Sequence, residues 1–279
     1  MGCAPANCLA AGDLSGKARQ AAGETVLLLH GSAGGGALWR QTMAELQPLY
    51  RCLAPDLLGY GAATPWPQGE PFTLDAERLA LEPLLACCAG AFHLVGYSYG
   101  GVVALQLALA NPARVRTLTL IEPVCFNILR DAARAPAFVR FQRLRQEFMR
   151  ALAQGDAAAA MRPFIDFWAG EGAWQRLPDP LRADMLRWAG KIALEWEAVF
   201  AFAPPPQGLA ALGPRTLLVR GDRSPAAMLE LVDAMHGVMP GSARVVLAGA
   251  NHLLPSTHAS ELTRAILSHL HVDAERRLR

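Results

Sequence analysis

The pentapeptide Gly96-Tyr97-Ser98-Tyr99-Gly100 sets a hydroxyl between small residues. The apolar run 91–95 before it reads as a strand and residues 99–110 after it as a helix. A serine at so sharp a strand-to-helix turn is a nucleophile whose Oγ stands clear of the backbone, and the flanking glycines let strand and helix approach closely. A serine hydroxyl needs a base at neutral pH. Of the seven histidines, His252 follows the strand 244–247 in the loop Ala248-Gly249-Ala250-Asn251, which projects it at the same sheet edge as Ser98. His258 is its near rival; His93, His236, His269 and His271 fall within strands or helices. A third element of chemistry is the glycine-rich stretch His30-Gly31-Ser32-Ala33-Gly34-Gly35-Gly36, entered from the strand 25–29. Backbone amides there and after the nucleophile, at Ser32 and Tyr99, are placed to donate to a developing oxyanion. The glycines do not fit G-x-G-x-x-G and no G-K-[ST] follows, which argues against a nucleotide cradle.

These residues must be positioned by a regular scaffold. Short apolar runs at 25–29, 51–54, 91–95, 115–121, 215–219 and 244–247 read as buried strands. Helical stretches at 38–46, 74–88, 99–110, 226–239 and 258–271 alternate with them. Such alternation implies βαβ units and a mostly parallel sheet with helices on both faces. The alternation stops between residues 123 and 207, where no strand pattern occurs and Phe126, Phe141, Phe148, Phe164, Trp168 and Trp196 are among a cluster of aromatics. That stretch reads as a helical lid, its aromatics mainly the core of a small subdomain, with 138–152 a helix. Pro204-Pro205-Pro206 reads as a stiff return to the sheet.

With HGS at 30–32, APDLLGYG at 54–61, GYSYGG at 96–101 and GANH at 249–252, the chain resembles the α/β-hydrolase fold family in its serine-nucleophile branch. The resemblance implies a mostly parallel sheet flanked by helices, with a helical lid inserted after the sixth strand. Residues 1–122 and 208–279 would form the core domain and 123–207 the cap. It implies a triad of Ser98, an acid and His252 in that chain order, and makes Asp56 a turn residue. The family places its acid after either of two strands. After the later one the expected carboxylate position is held by Ser224, with Asp222 two residues too early. After the earlier one Glu122 stands at the strand end, directly before the lid. Glu122 is the favoured acid and Asp222 the alternative. Two antiparallel strands are expected before residue 25, where the β-pattern is poor.

Composition bounds the rest. An apolar fraction of 52% supports a large core and rules out intrinsic disorder, and 26 Lys+Arg against 24 Asp+Glu removes any need for a nucleic-acid partner. No apolar run is long enough to cross a membrane, and no secretory pattern opens the chain, so a cytoplasmic protein is expected. The cysteines lack zinc spacing; neither a metal nor an organic cofactor is implied. The implied activity is carboxylesterase-like: cleavage of a carboxylester, thioester or lactone of a small, largely apolar substrate through an acyl-enzyme. Alternatives are a slow-turnover ligand sensor, a carbon–carbon bond hydrolase and a cofactor-free perhydrolase on the same triad. A homodimer is compatible with the lid's apolar surface.

Overall fold

The computed structural model describes residues 24–67, 69–88, 90–130 and 134–277. Its centre is a six-stranded sheet: β1 (Thr25–Leu29), β2 (Arg51–Leu53), β3 (Phe92–Tyr97), β4 (Val115–Ile121), β5 (Thr216–Gly221) and β6 (Ala243–Leu247). The order is β2-β1-β3-β4-β5-β6 and every pairing is parallel. β1, β3 and β4 are short runs buried almost throughout, as parallel strands covered on both faces must be.

The two-residue period of a strand sends alternate side chains to opposite faces. Val26, Leu28, Val95, Ile121, Leu217 and Val219 pack on one face with Trp39, Leu46, Leu262 and Ile266. That layer is made by α1 (Arg40–Leu46) and by the helix at the far end of the chain. Leu27, Leu29, Leu94, Leu118, Leu120 and Leu218 pack on the other face, against α2 (Leu74–Ala86), α3 (Tyr99–Ala110) and a later helix. α3 follows the Ser98 turn and is apolar nearly all round, which suits a helix buried between the sheet and its neighbours.

Between β4 and β5 the chain forms α4 (Ala135–Ala153), α5 (Ala157–Ala169), α6 (Ala173–Arg176), α7 (Asp179–Ala201) and α8 (Pro206–Leu212). This insertion follows the fourth strand of the sheet among the described residues. The expected count of six includes two strands before Thr25, and residues 1–23 lie outside the described residues. The proline run does not simply return the chain to the sheet: Pro205 caps α8 and Pro206 is its first residue. A proline's fixed φ suits the first turn of a helix, where its missing N–H has no partner to lose. Phe126, Phe141, Phe148, Phe164, Trp168 and Trp196 belong to the same apolar cluster as Leu118 and Val102, so inserted helices and sheet share one core. After β5 come α9 (Ala226–Val238), β6, α10 (Leu254–Thr257) and α11 (Ala259–Arg277). Among the described residues no helix is long and apolar enough to cross a membrane.

Candidate active site

The turn from β3 into α3 holds Ser98 at φ 53° and ψ −118°. An L-residue adopts such a backbone only when its surroundings enforce it, at a cost of roughly 1–3 kcal/mol. The two glycines permit it by close approach. A Cβ on Gly96 would collide with the Gly100 carbonyl oxygen, and one on Gly100 with the His30 carbonyl oxygen. The Ser98 N–H donates to Ile121 O at 2.9 Å, extending the β3–β4 ladder by one rung and locking the turn to the sheet edge.

His252 and Glu122 reach the same edge from β6 and β4. His252 Nε2 lies 3.1 Å from Ser98 Oγ, and its Nδ1 lies 2.6 Å from Glu122 Oε2. All three side chains are buried, Glu122 completely. A carboxylate there needs further donors. Its Oε1 accepts the Gly221 N–H at 2.8 Å and the Ser224 hydroxyl at 2.5 Å. Glu122 is itself left-handed, at φ 43°. Ser224, at the position where the family resemblance looked for an acid, is thus a hydrogen-bond donor to the carboxylate that stands elsewhere.

The carboxylate bonded to the imidazole is Glu122 and not Asp222, the alternative acid. Asp222 Oδ1 accepts the Gly249 N–H at 2.7 Å and shapes the loop that leads to His252. His258, the rival base, meets Thr257 Oγ1. Tyr97 packs beside the histidine and its hydroxyl donates to the His252 carbonyl oxygen at 2.8 Å. The Trp168 indole, carried by α5, stacks on the imidazole with ring centroids 4.3 Å apart and planes inclined by 30°.

The glycine-rich loop is pinned at both ends. His30 Nδ1–H donates to Gly31 O, and its Nε2 accepts the Leu57 N–H at 3.0 Å. Burial holds the His30 pKa down to about 4, so the ring is neutral and can serve as that acceptor. Asp56 takes the Gly36 N–H at 2.8 Å and the Ala62 N–H at 3.0 Å, joining this loop to the one after β2. Between the pins lies Ser32. It lines one cavity together with Ser98 and Tyr99, closed by Val124, Phe126, Phe164, Trp168, Ile192, Trp196 and Val199. Tyr99 is the first residue of α3, so its N–H has no partner within the helix. The free space is about 30 Å³, room for about two waters. Trp168 also lines a larger cleft of about 570 Å³ on the outside, with Arg140, Arg223 and Asn251.

One part of this cavity carries no sequence motif. Glu195 on α7 lines it and accepts the Ser32 hydroxyl through Oε2 at 2.5 Å. Burial raises the Glu195 pKa, while Lys191, Ser32 and Tyr60 oppose the rise. Tyr99 is pushed well up by burial and by Glu77, so its phenol remains a donor, and it donates to Glu77 Oε1 at 3.1 Å. The sequence signals for this cluster are slight: Lys191 is one of two lysines in the chain, and Glu195 follows it at the i,i+4 spacing of a helix. Among the described residues no group of His, Cys, Asp and Glu is placed to hold a metal ion.

The model of the alpha/beta hydrolase family matches residues 26–265. The dihydrolipoyllysine-residue acetyltransferase component of the acetoin cleaving system of Cupriavidus necator is 28% identical over 259 residues, which are 88% of this chain and 63% of that protein. Lipase LipV of Mycobacterium tuberculosis is 41% identical over 99 residues, 35% of this chain and 36% of the lipase. The chain thus spans less than two thirds of the length of either relative. Among solved structures, MenH from S. aureus superposes with a TM-score of 0.71 at 16% identity, covering 90% of this chain and 94% of that one. That likeness is one of fold. The family match extends from β1 into α11 and includes every residue of the Ser98 site, and on it the chain belongs to the alpha/beta hydrolase family.

Proposed function

We propose that the protein is a serine hydrolase that cleaves an ester-type bond of a small, largely apolar substrate through an acyl-enzyme on Ser98. The observation that carries this reading is the unbroken chain from Ser98 Oγ through both nitrogens of His252 to Glu122. Its chemistry follows from the hydrogen-bond roles. With Nδ1–H donated to Glu122, Nε2 is the lone-pair nitrogen and accepts the Ser98 proton as Oγ attacks the carbonyl carbon. The imidazolium so formed is stabilised by the carboxylate at 2.6 Å and by the stacked Trp168 ring. The tetrahedral oxyanion faces the Ser32 and Tyr99 amides. The imidazolium then protonates the leaving oxygen or sulfur. A water that gives its proton to His252 attacks the acyl-enzyme, and its collapse frees the acid and restores Ser98.

The cavity supports the substrate class. Its walls are aromatic and aliphatic apart from Ser32, Ser98 and Glu195, so desolvating an apolar acyl group there is favourable and a charged one is not. A carboxylester, a thioester and a lactone all meet these requirements. A lipase among the relatives is in keeping with an ester. The test is hydrolysis of p-nitrophenyl esters from acetyl to palmitoyl by the wild type and by Ser98→Ala, with intact mass recorded during turnover. Turnover and a mass increase of one acyl group, both lost in Ser98→Ala, are expected, with an optimum at short chains. Turnover that survives Ser98→Ala overturns the reading.

A further inference from the structure

Three charged side chains are buried together where the inserted helices meet the core. Lys191 and Glu195 lie one turn apart on α7, and Glu77 comes from α2. Lys191 Nζ is 3.1 Å from Glu77 Oε1 and 3.4 Å from Glu195 Oε1, and all three side chains are at most 7% exposed. The ammonium sits 3.7 Å from the centre of the Phe72 ring and within 5.4 Å of those of Tyr99 and Tyr60. Burying three charges is costly before they are paired.

Besides the Leu58 N–H, which donates to Glu77 Oε2 at 3.1 Å, and Tyr60 beside Glu195, the two carboxylates receive hydroxyls from two residues of the Ser98 cavity. Glu195 Oε2 receives the Ser32 hydroxyl at 2.5 Å, and Glu77 Oε1 receives the Tyr99 hydroxyl at 3.1 Å. Ser32 and Tyr99 are the residues whose amides serve the oxyanion in the proposed reaction, and both line the Ser98 cavity. Tyr99 is already fixed as the first residue of α3. Ser32 is not, because its loop runs Gly31-Ser32-Ala33-Gly34-Gly35-Gly36 with Ala33 left-handed at φ 54°. Between the His30 and Gly36 pins, its hydroxyl bond to Glu195 is the one side-chain tie recorded for Ser32 among the described residues.

We propose that Glu195 is a positioning residue for the oxyanion hole. It holds the Ser32 amide in register through the Ser32 hydroxyl, and Lys191 braces Glu195 against Glu77 and hence against Tyr99, so that α7 completes a hole whose amides belong to the core. The proposal rests on the serine-hydrolase reading. Because the oxyanion forms in both acylation and deacylation, loosening the loop slows turnover without weakening ground-state binding.

The test compares wild type with Ser32→Ala, Glu195→Gln, Glu195→Ala and the double variant Ser32→Ala/Glu195→Ala. For each, kcat and KM on p-nitrophenyl butyrate and inhibition by 1-butaneboronic acid, which forms a tetrahedral adduct on Ser98, are measured, with thermal unfolding as a check of folding. Ser32→Ala leaves the charged cluster whole and so keeps the test independent of any folding defect at Glu195. The expectation is a loss of kcat of roughly tenfold in Ser32→Ala and in Glu195→Ala, with KM within about twofold. The boronate weakens in proportion. The double variant loses no more than the worse single one, since both remove the same bond. Glu195→Gln, which still offers an oxygen to Ser32, recovers most of kcat. Losses that multiply in the double variant, or that fall on KM instead of kcat, overturn the proposal. A wild type that neither turns over the ester nor becomes acylated overturns the hydrolase reading and this proposal with it, whereas acylation with multiplicative losses overturns this proposal alone.

Discussion

Replacing Glu122 by glutamine is the sharpest perturbation of the site, because it preserves shape while changing the proton inventory. The side chain is wholly buried, and both of its oxygens are engaged. Oε1 faces two donors, the Gly221 N–H and the Ser224 hydroxyl, so the amide oxygen of the substituted side chain must take that place. The amide nitrogen then faces His252 Nδ1, where a second N–H would clash, and the imidazole must carry its proton on Nε2 instead. Nε2–H points at Ser98 Oγ 3.1 Å away and can accept nothing. The variant also loses the charge that stabilises the imidazolium. A wrong tautomer of this kind in a Ser-His-acid site costs about 10⁴ in kcat, or about 5 kcal/mol at roughly 1.36 kcal/mol per decade. The assay is kcat/KM on a p-nitrophenyl ester together with single-turnover acylation, beside Asp222→Asn. Asp222→Asn keeps an oxygen for the Gly249 N–H and is expected to lose less than about tenfold. If Glu122→Gln turns over near the wild-type rate while Asp222→Asn collapses, the assignment of the acid is wrong.

Ser224→Ala removes one charged hydrogen bond from Glu122, a contact worth about 1.5–3 kcal/mol; kcat is expected to fall about tenfold, and an unchanged kcat would show that the hydroxyl is idle. Ser98→Gly abolishes turnover yet relieves the φ 53° strain, so thermal unfolding should show a gain of about 1 kcal/mol; a lower Tm than that of Ser98→Ala refutes the strain. His30 has its pKa lowered from 6.5 to about 4, so the unfolded chain binds its proton first as pH falls. Its contribution to stability is complete above pH 6.5 and is lost as pH drops towards 4, about 3 kcal/mol in all; urea unfolding at about pH 7 and about pH 4 should show that component vanish in His30→Gln. Trp168→Ala removes the ring stacked on His252 and lining both the inner cavity and the outer cleft; longer acyl chains should then be hydrolysed relatively faster, and an unchanged chain-length profile would argue against Trp168 as the pocket's limit.

What the chain reveals before folding depends on how local the signal is. The strand at 25–29 and the helix at 99–110 are found where periodicity puts them, and the Gly96–Gly100 turn declares itself because steric demands on both glycines act within a few residues. Position at the sheet edge picks out His252, whereas Glu122 is preferred to Asp222 only with the help of the family resemblance. Helices α5 to α7 are visible in the sequence only as an absence of strand pattern, although the buried Ala160, Met161, Phe164 and Trp168 of α5 share one face. The scarcity of lysine and the i,i+4 spacing of Lys191 and Glu195 are written in the sequence, but nothing there joins them to Glu77. Their meeting depends on how α7 crosses α2 and α3, a packing angle that no residue spacing encodes, and a lone lysine in a helix reads as solvated surface.

The shared core of sheet and insertion governs how a molecule can reach Ser98. If α4 to α7 swung away as one body, Phe126, Phe141 and Trp196 would meet water. At about 2 kcal/mol for each ring, the three alone would cost about 6 kcal/mol and hold the swung-out form to about one molecule in ten thousand. Trp168 lines both the inner cavity and the 570 Å³ outer cleft, and turning its side chain gives up contacts with His252, Phe167, Phe141 and Phe164, the burial of one ring where a swing of the insertion exposes three. Moving one indole costs about a third of what moving the whole insertion costs, so a rearrangement at Trp168 is the cheaper way to enlarge the space beside Ser98.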